Sequence, residues 1–107
     1  MKSLVTISVL AFLIMSCGVK FLEPTQLDAD RGSKMFSSMN LEKLNQGKKL
    51  YEDKCGNCHK LKKLSLLDEA GWRKIVPEMA KGAEMNAADT DLVLQYVLTM
   101  KDAVPAK

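Results

Sequence analysis

The stretch that most constrains this chain is the pentapeptide at residues 55–59, Cys-Gly-Asn-Cys-His. Two cysteines three positions apart and followed directly by a histidine form a C-x-x-C-H pattern. This pattern is typical of covalent haem attachment, because each thiol can close a thioether to one vinyl group of a haem. The histidine is then placed to bind the iron from one side. The pattern therefore predicts one covalently attached haem c, with Cys55 and Cys58 as attachment residues and His59 as an axial metal ligand.

Three other uses of Cys55 and Cys58 stay open. A structural zinc site needs about four Cys or His ligands, and outside the pentapeptide the chain offers only Cys17. A thioredoxin-like dithiol needs no following histidine and sits in a βαβ pattern that this sequence lacks. A plain structural disulfide is the third alternative. Haem attachment is favoured over all three.

The N-terminal residues are typical of a targeting segment rather than of a folded element. Lys2 provides a positive start, and residues 4–15 form an apolar run that is too short for a membrane span. The run ends in Ile-Met-Ser-Cys at Cys17, which resembles the lipobox of bacterial lipoproteins. The resemblance implies that residues 1–16 are a signal peptide and that acylated Cys17 anchors the chain to a membrane. An ordinary secretory signal or an uncleaved anchor is the alternative.

No hydrophobic period is sustained over residues 17–39. We predict that they form a lipid-anchored tether, with a root-mean-square reach of roughly 25 Å for about twenty flexible residues. The alternative is an ordered arm in which Met35, Phe36 and Met39 pack onto the domain. Residues 40–107 are predicted to form one small all-α domain.

The first helix of that domain is predicted over residues 41–54, with Asn40 as its N-cap. Gly47 lies in mid-helix, where a glycine costs about 1 kcal/mol relative to alanine, so close approach of another helix would explain it. With Gly47 eight positions and Tyr51 four positions before the first haem cysteine, the chain resembles the small class I cytochromes c. The resemblance implies a helical domain wrapped around one haem, with this helix crossing the last one at Gly47 against Tyr96. Alternatively, Gly47 merely starts the helix late.

A second helix is predicted over residues 66–76. Ser65 and Asp68 resemble a capping box at its start, and Pro77 is expected to end it, because proline removes a helical hydrogen bond. That places Met79 at an irregularity near the haem. The helix is expected to carry three apolar side chains on one side: Trp72, Ile75 and Val76.

The third helix is predicted to begin after Asn86 as N-cap, with Asp89 at the capping-box distance. Apolar residues then recur at spacings of three, four and seven, which indicates one buried helix face. They are Val93, Tyr96, Val97 and Met100.

The second axial ligand is predicted to be a methionine. The chain contains no second histidine, so methionine, lysine or water remain. Met79 precedes Tyr96 by seventeen residues, which is similar to the ligand-to-aromatic spacing of class I cytochromes c. Residues 72–79 also resemble the W-x-x-(I/V)-V-x-x-M segment of bacterial monohaem domains. The resemblance favours Met79 as the metal ligand, ahead of Met85. Met35, Met39 and an open iron position are further alternatives, whereas Met100 is expected in the core.

Composition and motifs also narrow the function. A net charge of +3 without an Arg-rich patch argues against nucleic-acid binding, and nothing resembles a catalytic constellation, so we expect no enzyme. The resemblance implies a one-electron carrier at the bacterial cell envelope, facing the periplasm or the exterior, that works with redox partner proteins. A haem-based sensor, a small peroxidase and a dedicated subunit of a dehydrogenase or oxidase are the alternatives. Four lysines near the pentapeptide could steer an acidic partner or simply be solvated: Lys54, Lys60, Lys62 and Lys63.

Overall fold

The computed structural model describes residues 21–55 and 63–103, and these residues form four α-helices and no strands. The helices are α1 (Gln26–Gly32), α2 (Leu41–Leu50), α3 (Glu69–Gly82) and α4 (Ala87–Met100). A π-helical turn (Tyr51–Cys55) extends α2, and a 3₁₀ turn (Leu64–Leu66) precedes α3. None of the helices in these two ranges is long and apolar enough to cross a membrane. The predicted all-α class is confirmed for this part of the chain.

Two predicted helix starts are confirmed by their caps. The Asn40 side chain accepts a hydrogen bond from the backbone N–H of Lys43 at 2.8 Å. At the start of α4, the Asn86 side chain accepts one from the N–H of Asp89 at 2.7 Å. Each asparagine thus satisfies an amide that has no partner within its own helix, which is the physical reason for the preference at this position.

Helices α2 and α4 make the most extensive helix–helix contact, and they cross at Gly47. A β-carbon at this position would lie 2.6 Å from Cβ of Tyr96 and closer still to the carbonyl oxygen of Leu92. Only a glycine lets the two backbones approach this far. The predicted crossing against Tyr96 is confirmed, and the late-start alternative is wrong because α2 begins at Leu41.

The core lies where α2, α3 and the π-helical turn meet α4. The predicted apolar stripe of α4 is confirmed, since all four of its residues are buried: Val93, Tyr96, Val97 and Met100. Tyr51 packs edge-on against Trp72, with ring centroids 6.2 Å apart, and lies 5.9 Å from the ring of Tyr96. This aromatic cluster joins the turn that carries Cys55 to both α3 and α4.

Helix α3 begins later than the sequence suggested. Its N-cap is Asp68, whose carboxylate accepts a hydrogen bond from the N–H of Gly71 at 2.8 Å. The predicted capping box starting at Ser65 is therefore wrong. Asp68 serves as the cap rather than as the acid at the third helical position.

Helix α3 also ends later than predicted, because it continues through Pro77 to Gly82. Pro77 is exposed, so water can reach the carbonyl group that the proline leaves without a helical partner. Val76 and Ala80, on either side of it, are buried against the core and hold both halves of the helix in place. The expected end at Pro77 is wrong, and Met79 lies in regular helix.

Residues 17–39 were predicted to be a flexible tether, but most of those that the structure describes, residues 21–39, are ordered on the domain. Thr25 and Asp28 form a capping box that starts α1, and α1 packs on α4. Arg31 extends from α1 and donates a hydrogen bond from Nη2 to the carbonyl oxygen of Thr99 at 2.8 Å. This local cap and this long-range contact order a segment that lacks a hydrophobic period.

The ordered-arm alternative describes this segment better. Met39 is buried and Phe36 is half-buried, whereas Met35 stays half exposed. A β-carbon on Gly32 would collide with the sulfur of Met39 and would lie 2.7 Å from Oγ1 of Thr99. Gly32 is therefore a second position at which a missing side chain allows two segments to pack closely.

Candidate functional site

A cleft of about 320 Å³ opens between the π-helical turn and α3. Cys55 lines it from the turn, and Met79 lines it from the helix. Two residues predicted for one site, on either side of the pentapeptide's histidine in the sequence, thus meet at one cleft. The remaining lining residues are Lys54, Ile75, Glu78, Gly82 and Ala83.

One face of α3 supplies most of this lining. Ile75, Met79 and Gly82 are spaced four and three residues apart, which places them on the same side of a helix. Glu78 lies at the edge of that face. Glu78 and Gly82 were not predicted from the sequence. If the helix had been expected to continue past Pro77, their spacing from Met79 would have placed both residues beside it on the helix surface.

The π-helical turn places Cys55 at the cleft. Tyr51 begins the turn and is fully buried in the aromatic cluster, whereas Cys55 ends it and is half-buried. Single π-helical turns are rare and occur often at functional sites, because they re-aim side chains relative to a regular α-helix. Cys55 is a free cysteine, and burial raises the pKa of its thiol.

The chain on the C-terminal side of the pentapeptide is also packed into the core. Trp72 is fully buried, and its Nε1 donates a hydrogen bond to the carbonyl oxygen of Leu64 at 2.8 Å. Leu64 belongs to the same core cluster as Tyr51. The two ends of the segment between Cys55 and Lys63 are thus fixed in one cluster. Cys58 and His59 lie outside the described residues, and so does Cys17.

The described methionines differ in their surroundings. Of the five that the structure describes, only Met79 lines the Cys55 cleft; the others are Met35, Met39, Met85 and Met100. Met85 lines a different groove, which α3 and α4 form together. The prediction that Met100 is a core residue is confirmed, since it is 4% exposed.

Among the described residues, two charged side chains border the cleft. They are Lys54 and Glu78. Lys63, which directly precedes the 3₁₀ turn, is exposed. Lys60 and Lys62 lie outside the described residues, so the proposed basic flank stays a prediction. Within residues 21–55 and 63–103, no group of three or more His, Cys, Asp or Glu side chains is arranged to hold a metal ion.

Comparison with known proteins assigns no family. No protein-family model matches the chain. Searches among curated proteins and among solved structures found no match either. The chemistry that the cleft can support therefore has to be inferred from its own side chains: the thiol of Cys55 and the thioether of Met79 line a common, mostly apolar space.

Proposed function

We propose that this chain is a lipid-anchored, monohaem c-type cytochrome that carries one electron at a time between redox partner proteins at a bacterial cell envelope. The observation that carries the proposal is the meeting of Cys55 and Met79 at one cleft. Cys55 is the first residue of the C-x-x-C-H pattern, and Met79 is the methionine expected to complete the iron site. The two were predicted from separate parts of the sequence.

The lining of the cleft fits a haem. Its volume of about 320 Å³ falls at the lower end of the range of about 300–1,000 Å³ for ligand pockets. Ile75 and Met79 offer apolar surface on which the flat ring would pack.

Four residues would hold the haem. Cys55 and Cys58 would carry it as thioethers, and His59 and Met79 would bind its iron. When bound, the haem supplies a one-electron iron couple. Met79 contributes a soft, neutral sulfur that favours the reduced iron and so raises the potential. The core contacts of Tyr51 hold the first attachment residue against α3, which limits reorganisation of the site.

The remaining parts of the proposal concern location and partners. Acylation of Cys17 would attach the chain to a membrane, facing the periplasm or the exterior. Its partners would be other redox proteins, and it would bind no nucleic acid. The chain would catalyse no bond-making reaction, and its work would be binding, orienting and insulating the redox centre.

The proposal is tested by absorption spectra of the purified protein and three variants. We expect a haem held by two thioethers, one of which is lost in Cys55→Ser, together with a far-red sulfur-to-iron band in the oxidised protein. Met79→Ala should abolish this band, because it removes the thioether that faces the cleft. Met85→Ala should keep it, because Met85 lines another groove.

The outcomes separate the parts of the proposal. A protein without covalent haem after expression in a host that attaches haem c would refute the function as a whole. A band that survives Met79→Ala would refute only the ligand assignment. Rapid binding of carbon monoxide to the reduced wild-type protein would favour a ligand-binding sensor or peroxidase instead.

A further inference from the structure

The N-terminal arm, residues 21–39, is docked on the domain through one side of α1. Asp28, Ala29 and Gly32 are buried on that side. The hydrogen bond from Arg31 to the carbonyl oxygen of Thr99 ties the arm to the last turn of α4. The arm is therefore fixed in orientation relative to the helices that form the cleft.

The opposite side of α1 carries a leucine in solvent. Leu27 is 78% exposed, and at two positions from Ala29 it points about 200° around the helix from that buried residue. Leu22, on the same arm, is 39% exposed. Four large hydrophobic side chains are exposed in the described residues, and three of them belong to the arm: Leu22, Leu27 and Met35, whereas Leu66 does not.

The number of residues between Cys17 and Phe21 limits how far the start of the arm lies from the proposed anchor. Only three residues separate Cys17 from Phe21, so their Cα atoms are at most about 15 Å apart. Phe21 is already packed on the domain, because its ring meets Tyr51 edge-on at a centroid distance of 5.5 Å. Pro24 is buried as well. The docked arm thus begins within about 15 Å of Cys17, instead of being separated from it by a long tether.

We infer that Leu22 and Leu27 form a bilayer-contact surface that holds the domain against the membrane in one orientation. This inference rests on the proposed acylation of Cys17. The contact is apolar rather than electrostatic, because the arm carries three acidic and two basic side chains and has no excess of positive charge to attract anionic lipid. It should form equally well on neutral and on anionic vesicles.

The first test places a spin label on each of two exposed leucines in the full-length, lipidated holoprotein. Leu27→Cys and the control Leu66→Cys would each provide one free thiol, because the native cysteines are acylated or bonded to haem. On phosphatidylcholine vesicles, the label at position 27 should be reached more readily by oxygen than by a water-soluble nickel complex. The label at position 66 should show the opposite preference. Equal, water-like accessibility at both positions would overturn the inference.

A second test needs no label and uses amide hydrogen exchange. Vesicles should slow exchange over residues 21–30 of the unmodified lipidated protein. Leu27→Asn should lower the population of the contact state about tenfold, because burial of one leucine changes an equilibrium constant by at least this factor. The slowing should then be lost, whereas Leu66→Asn should keep it. Unchanged exchange in the wild-type protein would refute the contact.

Flotation with vesicles and the mass of the N-terminal peptide report on the anchor separately. A chain that floats while position 27 stays water-accessible would refute the contact surface and leave the anchor intact. A chain that lacks acyl groups and does not float would refute the anchor, and the inferred surface with it. Both outcomes are independent of whether Met79 binds iron.

Discussion

Replacing Gly47 by alanine tests the helix crossing on which the domain is built. The added β-carbon would lie 2.6 Å from Cβ of Tyr96 and even closer to the carbonyl oxygen of Leu92. Both neighbours belong to α4, which is packed on its other sides by α1 and α3. Neither neighbour is the flexible end of a side chain, so the variant has to push the two helices apart.

Two opposing effects set the magnitude. Alanine favours a helix interior by about 1 kcal/mol relative to glycine. Overpacking of a well-packed contact costs about 1–3 kcal/mol and occasionally more, and the backbone contact at Gly47 belongs at the upper end of that range. We therefore expect Gly47→Ala to lower the free energy of unfolding by about 1–2 kcal/mol, which corresponds to a fall in melting temperature of about 4–15 °C.

The chain contains a matched control in Gly82→Ala. A β-carbon there would meet no atom within 4 Å, and no glycine in the described residues has a positive φ. Gly82→Ala should therefore leave the stability unchanged or raise it by up to about 1 kcal/mol. Denaturant unfolding followed by far-ultraviolet circular dichroism measures both variants. If Gly47→Ala is as stable as Gly82→Ala, the close crossing of α2 and α4 is refuted.

Two further predictions concern buried polar groups. Tyr96→Phe should leave the stability unchanged or raise it by up to about 2 kcal/mol, because the buried hydroxyl has no hydrogen-bond partner among the described residues. Burial raises the pKa of Tyr96, so the tyrosine ionises more readily in the unfolded chain and the free energy of unfolding falls as the pH rises above the ordinary pKa of 10.0. Urea unfolding across this range should show a smaller alkaline loss of stability in Tyr96→Phe, and a deeper loss would contradict the assignment. At acid pH, burial acts to raise the pKa of Asp28, but hydrogen bonds from Thr25 and Arg31 outweigh this effect and lower it. The free energy of unfolding should therefore fall as the pH drops below 3.8. This fall should be smaller in Asp28→Asn, and an acid titration identical to that of the wild-type protein would refute the contribution of Asp28.

Local signals in the sequence were sufficient where the interacting groups are close along the chain. Asn40 and Asn86 were predicted as N-caps because a short polar side chain meets an amide three residues later, a contact that needs no tertiary partner. The apolar spacing in α4 was equally direct. Gly47 was informative for a different reason, since a glycine in mid-helix is costly unless a second backbone passes close by.

Distant contacts decided the parts that were predicted wrongly. Pro77 ends an isolated helix, but in this domain Val76 and Ala80 are buried on either side of it, and their packing outweighs the lost hydrogen bond. Residues 25–39 have no hydrophobic period of their own. They are ordered because Gly32 and Arg31 find partners on α4, far away in the sequence.

The same division applies to the candidate site. The sequence by itself determined the residue types for the proposed haem site: the C-x-x-C-H pattern at residues 55–59 and a set of methionines without a second histidine. The sequence also favoured Met79 among them, but only the tertiary structure decided that Met79 shares a cleft with Cys55, because that depends on α3 continuing to Gly82 and on the π-helical turn. Spacing along the chain indicates which residue types are available for a site, whereas packing between helices determines which of their side chains come together.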